Sequence, residues 1–292
     1  MSEYIPYTQE ERDRAHRTDL IALLRDQGEV LKRSGTEYEW RVGGQKVTIR
    51  GHLWYHQYEQ VGGDAVGFVT HFYGKSYPDA VQFLLSQEHC GQMLIPPTPE
   101  KEFILPTANP TMQRALAYLQ NRRGIDREVL AAFVRRKMIY ESKEHHNVVF
   151  VGYDMAGQPR HAHMRGTGGS FKGNSAGSAP EYSFHWLGQS EKIYLFEAPI
   201  DLLSYLTLHK DGWQRHSYAA ACSVSDKVLF QCLRDAPQLS QIFLCLDNDS
   251  AGQSAARRIQ EKLKSETREA KLLVPNRKDW NEELLHERGI QK

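Results

Sequence analysis

The last hundred residues alternate short apolar runs with amphipathic stretches. Apolar runs at 193–196, 218–222, 242–246 and 270–274 predict four strands. Helices are expected between and after them, at 200–209, 226–233, 251–264 and 281–286. In the third helix Ala251, Ala255, Ile259 and Leu263 recur every four residues, which places them on one face. Strands that are apolar throughout and separated by helices predict a mostly parallel sheet covered on both faces. In such sheets the working site lies at the carboxyl ends of the strands.

The rest of the chain has shorter elements. A helix is expected over 17–33, then strands at 37–42, 45–50 and 53–57, with Gly43-Gly44 as a hairpin turn. A turn at Val61-Gly62-Gly63-Asp64 leads into a helix over 65–72, and Pro78 marks the first turn of a second helix. Three prolines within 95–101 predict a linker. Helices over 111–121 and 127–137, joined by Arg123-Gly124-Ile125-Asp126, follow it. Strands at 147–153 and 159–165 then flank a turn at Asp154–Gly157. The expected organisation is a small α+β domain at 1–95, an α+β subdomain at 96–190 and an α/β domain at 191–292.

Composition narrows the function classes. Of 292 residues, 40% are hydrophobic and 25% charged, which excludes a largely disordered chain. Thirty-seven Lys and Arg against 36 Asp and Glu leave a net charge of +1, so any nucleic-acid surface must be a local patch. No run approaches the roughly 18 apolar residues of a membrane span, and the polar N-terminus lacks a signal-peptide core; a cytoplasmic protein is expected. Cys90, Cys222, Cys232 and Cys245 form no CxxC pair, so reduced, buried thiols are expected rather than a thiolate zinc site. Residues 156–180 hold six glycines, Arg160, Arg165 and Lys172, and no acid. That segment is either a flexible surface loop or a backbone that approaches a polyanion closely.

The candidate chemistry is acidic. The first strand of the α/β domain ends in Glu197, the third in Asp247-Asn248-Asp249-Ser250-Ala251-Gly252, and the fourth is followed by Lys278-Asp279-Trp280-Asn281. In a parallel sheet Glu197, Asp247, Asp249 and Asp279 converge on one edge. Carboxylates so placed repel one another unless a cation balances them, and hard oxygen donors suit Mg²⁺ or Mn²⁺. Alternate residues of an extended segment point the same way, so Asp247 and Asp249 are both expected to face the ion. Taken singly, a DxD after a strand also reads as a helix N-cap.

With a strand-end Glu197 and a strand-end Asp247-Asn248-Asp249, residues 191–292 resemble the toprim family. That catalytic module is shared by bacterial replicative primases, type IA and type II topoisomerases and several nucleases. Many toprim domains carry Gly after the Glu, where this chain has Ala198-Pro199. Upstream, Val148-Val149-Phe150, Asp154, Gly157, Arg165 and Phe171-Lys172-Gly173-Asn174-Ser175 resemble the segment that precedes toprim in bacterial primases. Residues 17–90 resemble the primase zinc-binding module without its metal ligands; only His52, His56 and His71 remain. The whole resembles small primase-like proteins of bacterial mobile elements.

The resemblance implies a primase-type nucleotidyltransferase using single-stranded DNA and nucleoside triphosphates. It implies Mg²⁺ or Mn²⁺ on Glu197, Asp247, Asp249 and Asp279, catalysis through Glu197, Asp247 and Asp249, and phosphate or nucleotide contacts from Arg165, Lys172, Asn174 and Lys278. No zinc is expected, and a replicative or element-encoded helicase is the implied partner. A topoisomerase is not expected, since the toprim segment leaves no room after it for a strand-passage domain. A toprim nuclease and a non-catalytic DNA-binding accessory protein stay open as alternatives. The aromatics Trp40, Trp54, Tyr55 and Tyr58 are expected mainly in a small core, with stacking on single-stranded bases as the other reading.

Overall fold

The computed structural model describes residues 7–87, 102–222 and 226–290. The chain divides into two compact units, Met1–Pro99 and Glu100–Lys292. The expected linker at 95–101 and Cys90 lie outside the described residues.

The first unit holds α1 (Gln9–His16), α2 (Leu20–Asp26), β1 (Lys32–Ser34), β2 (Glu37–Val42), β3 (Gln45–Arg50), β4 (Leu53–His56), β5 (Val61–Gly63), α3 (Ala65–Tyr73) and α4 (Tyr77–Leu85). The five strands form one antiparallel sheet in chain order. Gly43 and Gly44 both have positive φ, as a two-residue hairpin turn requires. The helix expected over 17–33 is shorter than that: α2 stops at Asp26, β1 takes up 32–34, and a separate helix, α1, precedes it. Thr8 and Glu11 form a reciprocal capping box that starts α1 earlier, and Asp19 caps α2 by accepting the Ile21 N–H. Trp40 and Trp54 are buried with Phe68 in the core, while Tyr55 and Tyr58 are exposed. His56 Nδ1 accepts the Glu59 N–H at 3.2 Å, and His71 Nε2 lies 3.1 Å from the Glu59 carboxylate.

The second unit opens with α5 (Gln113–Ala117), which runs into a π-helical turn at Tyr118–Arg122, and α6 (Arg127–Arg135). Strands β6 (Ile139–Glu141), β7 (Val148–Tyr153), β8 (Pro159–Arg165) and β9 (Lys172–Asn174) form an antiparallel sheet in that order. Then come β10 (His185–Trp186), β11 (Lys192–Phe196), α7 (Pro199–Leu208), β12 (Ser217–Ala220), α8 (Lys227–Asp235), β13 (Gln241–Leu244), α9 (Ser250–Ser265), β14 (Ala270–Leu272) and α10 (Trp280–Glu287). Their sheet runs β10-β12-β11-β13-β14, parallel except for the edge strand β10.

The period-2 alternation of β11 explains the layering. Ile193 and Leu195 join a core with Ile242 and Leu244, Val228 and Leu229 of α8, and Ala255 and Ile259 of α9. Tyr194 and Phe196 join the opposite core with Leu202 and Leu206 of α7 and Leu284 of α10. That second core also takes in Leu119, Phe133 and Phe150 from the antiparallel half. Among the described residues no helix is long and apolar enough to cross a membrane.

Candidate active site

Four acids are delivered to one cavity by the ends of the parallel strands. Glu197 follows β11 directly, and Asp201 sits in the first turn of α7, which Pro199 opens. Asp247 follows β13 across the buried pair Cys245 and Leu246. Asp279 starts α10, accepting the Glu282 N–H at 2.7 Å. Glu197, Asp201, Asp247 and Asp279 all line a cavity of about 940 Å³, together with Lys278.

Asp249 is placed differently from the expectation. Its Oδ1 accepts the N–H groups of Ala251 (3.0 Å) and Gly252 (2.9 Å), so it is the N-cap of α9. It does not line the cavity. Strand alternation would hold only if the extended chain continued past Asp249, but α9 begins at Ser250 and draws that carboxylate into its first turn. Gly252 is needed there: a Cβ at this position would lie 2.1 Å from the Asp247 carbonyl oxygen. The glycine of the DxDxAG segment therefore lets α9 close tightly onto the acidic loop.

Burial and mutual repulsion dominate the electrostatics. Burial, then the charges of Glu197, Asp279 and Asp249, push the Asp247 carboxyl up to about 7, and Lys278 offsets only part of this. Burial raises Glu197 as well, with the Asp249 charge adding to it. Asp201 lies well above the ordinary carboxylate range through burial and the charges of Asp279 and Asp247. Its Oδ1 accepts the Asn281 N–H at 3.2 Å. Asp247 Oδ1 is buried without a hydrogen-bond partner.

Such a donor set fits a divalent cation. Hard oxygens share one cavity, burial and repulsion disfavour the bare charges of Glu197, Asp201 and Asp247, and one buried lone-pair atom has nothing to bind. Among the described residues, however, no three of His, Cys, Asp and Glu stand close enough to hold a metal by themselves. The fit is thus to Mg²⁺ or Mn²⁺ bound through one or two carboxylates, with waters or phosphate oxygens completing the shell.

Cations reach the same cavity from the antiparallel half. Cross-strand register pairs His163 with Asn174 and Arg165 with Lys172, and all four residues line the cavity. Like charges directly opposite each other destabilise a sheet, and an anion between Arg165 and Lys172 would remove that penalty. Arg165 Nε donates to the Tyr118 hydroxyl at 3.3 Å, and Arg123 Nε donates to the same oxygen at 2.8 Å. Arg123 Nη1 also donates to Asn281 Oδ1 at 3.0 Å. Asn281 Nδ2 in turn donates to the Arg123 carbonyl at 2.8 Å and to Ser204 Oγ at 2.9 Å. One buried amide on α10 so ties the basic turn to α7.

Residues 194–284 match the family model described as Toprim-like. The strand-end acids therefore belong to a toprim-like domain. Residues 117–190, which carry Arg165 and Lys172, match a model described as a protein of unknown function (DUF3991). An uncharacterized protein of Bacillus anthracis (pXO2-78) is 26% identical, over 87% of this chain and 79% of its own length. A 65 kDa protein of Zymomonas mobilis is 24% identical, over 97% of this chain and 56% of its own length. Among solved structures, the primase fragment of the bacteriophage T7 primase-helicase is similar at a TM-score of 0.47 and 16% identity, covering 83% of this chain and 89% of that one. The Aquifex aeolicus primase fragment is similar at 0.41 and 17%, covering 97% and 83%.

The toprim-like domain brings Glu197, Asp247, Asp279 and Lys278 to one cavity and holds Asp249 at the helix cap instead. Sequence reasoning did not single out Asp201, His163, Arg123 and Asn281, which line the cavity, or Tyr118, which Arg123 and Arg165 contact. Two signals were legible: Asp201 stands one helical turn after Glu197, and Asn281 two residues after Asp279. The Tyr118 and His163 contacts join positions distant in the chain and left no local trace.

Proposed function

We propose that this chain is a primase-like nucleotidyltransferase, making primers on single-stranded DNA from nucleoside triphosphates. The observation that carries this reading is one cavity in which the strand-end acids of a toprim-like domain meet Arg165 and Lys172, opposed across a strand pair. In the reaction a 3′-hydroxyl oxygen attacks the α-phosphorus, a new phosphodiester forms, the α–β bridging bond breaks and pyrophosphate leaves. Mg²⁺ or Mn²⁺, held by Asp247 and Asp279 with Glu197 and Asp249 adjacent, would supply activation of the attacking oxygen and neutralisation of the leaving phosphates.

The chain's own groups do the rest. Glu197, whose carboxyl burial raises above its ordinary range, is suited to take the proton of the attacking hydroxyl. Arg165 and Lys172 hold phosphates of nucleotide or template, and Lys278 offsets charge beside Asp279. Asn174 positions the strand pair through His163. The first unit folds without zinc in this reading, and a helicase is the expected partner. Labelled nucleotides, a single-stranded template and a divalent ion provide the test. Short products that vanish in Asp247→Asn are expected. Cleavage of the template with no new product would instead assign a nuclease, with water as the nucleophile. DNA binding without either reaction would assign an accessory role.

A further inference from the structure

We propose that His163 is a sugar-hydroxyl acceptor, the residue of the cavity that tells a ribonucleotide from its deoxy analogue. The inference rests on the reading of this cavity as a nucleotide site. His163 is 7% exposed yet lines the cavity, so it is an interior group with one edge on the substrate space. Its Nδ1 lies 2.7 Å from Asn174 Oδ1. A carboxamide oxygen only accepts, so Nδ1 carries the proton and donates it. In a neutral ring Nε2 is then a bare acceptor. Burial favours that neutral form, and the charges of Arg165 and Lys172 favour it further.

The surroundings make an acceptor distinctive. The neighbouring cross-strand pair, Arg165 and Lys172, offers donors only, as a phosphate requires. Glu197, Asp201, Asp247 and Asp279 form the acidic group of the cavity, whose acceptors are carboxylates rather than a neutral ring. His163 is therefore a neutral acceptor two residues along the strand from a phosphate pair, a spacing of about 7 Å. That spacing is on the scale of a nucleotide's own phosphate and sugar. The groups on a sugar able to donate to it are its 2′- and 3′-hydroxyls. Asn174 is a positioning residue in this scheme, because its carbonyl fixes which ring nitrogen keeps the proton.

Calorimetry on the full chain with Mg²⁺ tests the proposal by comparing ATP, 2′-deoxy-ATP and 3′-deoxy-ATP. Wild type is expected to bind ATP about 5- to 10-fold more tightly than one of the deoxy analogues, the size of one neutral hydrogen bond. In His163→Leu that ratio should fall to about one, while His163→Gln, which keeps an acceptor, should retain part of it. Fluorinated analogues examine the wild type alone: replacing the discriminated hydroxyl by fluorine, which cannot donate, should lose the same factor. An unchanged ratio in His163→Leu, or wild type that binds all three alike, overturns the assignment to His163. Wild type that binds no nucleotide at all overturns the nucleotidyltransferase reading and the inference with it.

Discussion

Replacing Asp247 by Asn should stabilise the metal-free protein above neutral pH. The carboxyl is raised from 3.8 in the ordinary state to about 7 in the fold by burial and by Glu197, Asp279 and Asp249. The folded chain therefore binds a proton that the unfolded chain has released between those two values. Stability falls as pH rises through that window, and the whole deficit is present above pH 7. About three pH units correspond to a ceiling of about 4 kcal/mol. Asp247 keeps partial contact with solvent, so about 2 kcal/mol is the working figure. Urea unfolding in a chelator, followed by tryptophan fluorescence, gives the measurement. Trp186, Trp213 and Trp280 report the second unit, Trp40 and Trp54 the first, and the difference between the two proteins isolates the second. The variant should be more stable by that margin at pH 8 and indistinguishable at pH 4. Mg²⁺ should raise the stability of wild type and leave the variant nearly unchanged. Equal stability of the two proteins at pH 8 without metal would refute the strained-acid reading of the site.

Four further outcomes are expected. Gly252→Ala forces a Cβ against the Asp247 carbonyl, so it should cost about 3 kcal/mol and abolish divalent-metal binding measured by calorimetry. An Arg165→Ala, Lys172→Ala variant should bind single-stranded DNA more weakly with its fold intact, and its salt slope should be shallower by about one for each phosphate no longer neutralised; identical binding at every salt concentration would move the groove elsewhere. Asn281→Ala removes the partner of Arg123 Nη1, the side-chain donor to the Arg123 carbonyl and one of the hydrogen bonds of Ser204, and should cost about 3 kcal/mol in thermal or chemical unfolding. Elemental analysis should find no zinc in the purified protein, and stoichiometric zinc surviving chelation would contradict this.

Wherever one local pattern decides an element, the chain is legible. The apolar runs of β11, β12 and β13 and the helices between them lie within a few residues of where periodicity puts them, because fully buried strands advertise themselves. At α1 the capping signal Thr8-x-x-Glu11 is written in the chain, but the longer apolar stretch after Asp19 dominates the periodicity. Asp249 shows a different limit. Its two readings, ion-facing acid and helix cap, have the same sequence, and the point where α9 begins decides between them. His163 reads as nothing special in a strand of alternating His, Ala and Met; it acquires a role only once β9 brings Asn174 opposite.

The core that contains Leu119, Phe133, Phe196 and Leu284 spans both matched families. It determines how the protein folds and where it can be divided. Expressed from residue 191 onward, the parallel sheet would expose the face carrying Tyr194, Phe196 and Tyr218, and part of its covering would be missing. Such a fragment is an aggregation hazard rather than a minimal enzyme. The two halves should protect their amides against hydrogen exchange together, as a single cooperative foldon. The cavity takes its lining from both matched segments, Arg165 and Lys172 from one and Glu197, Asp247 and Asp279 from the other, so a cut between them divides the site itself.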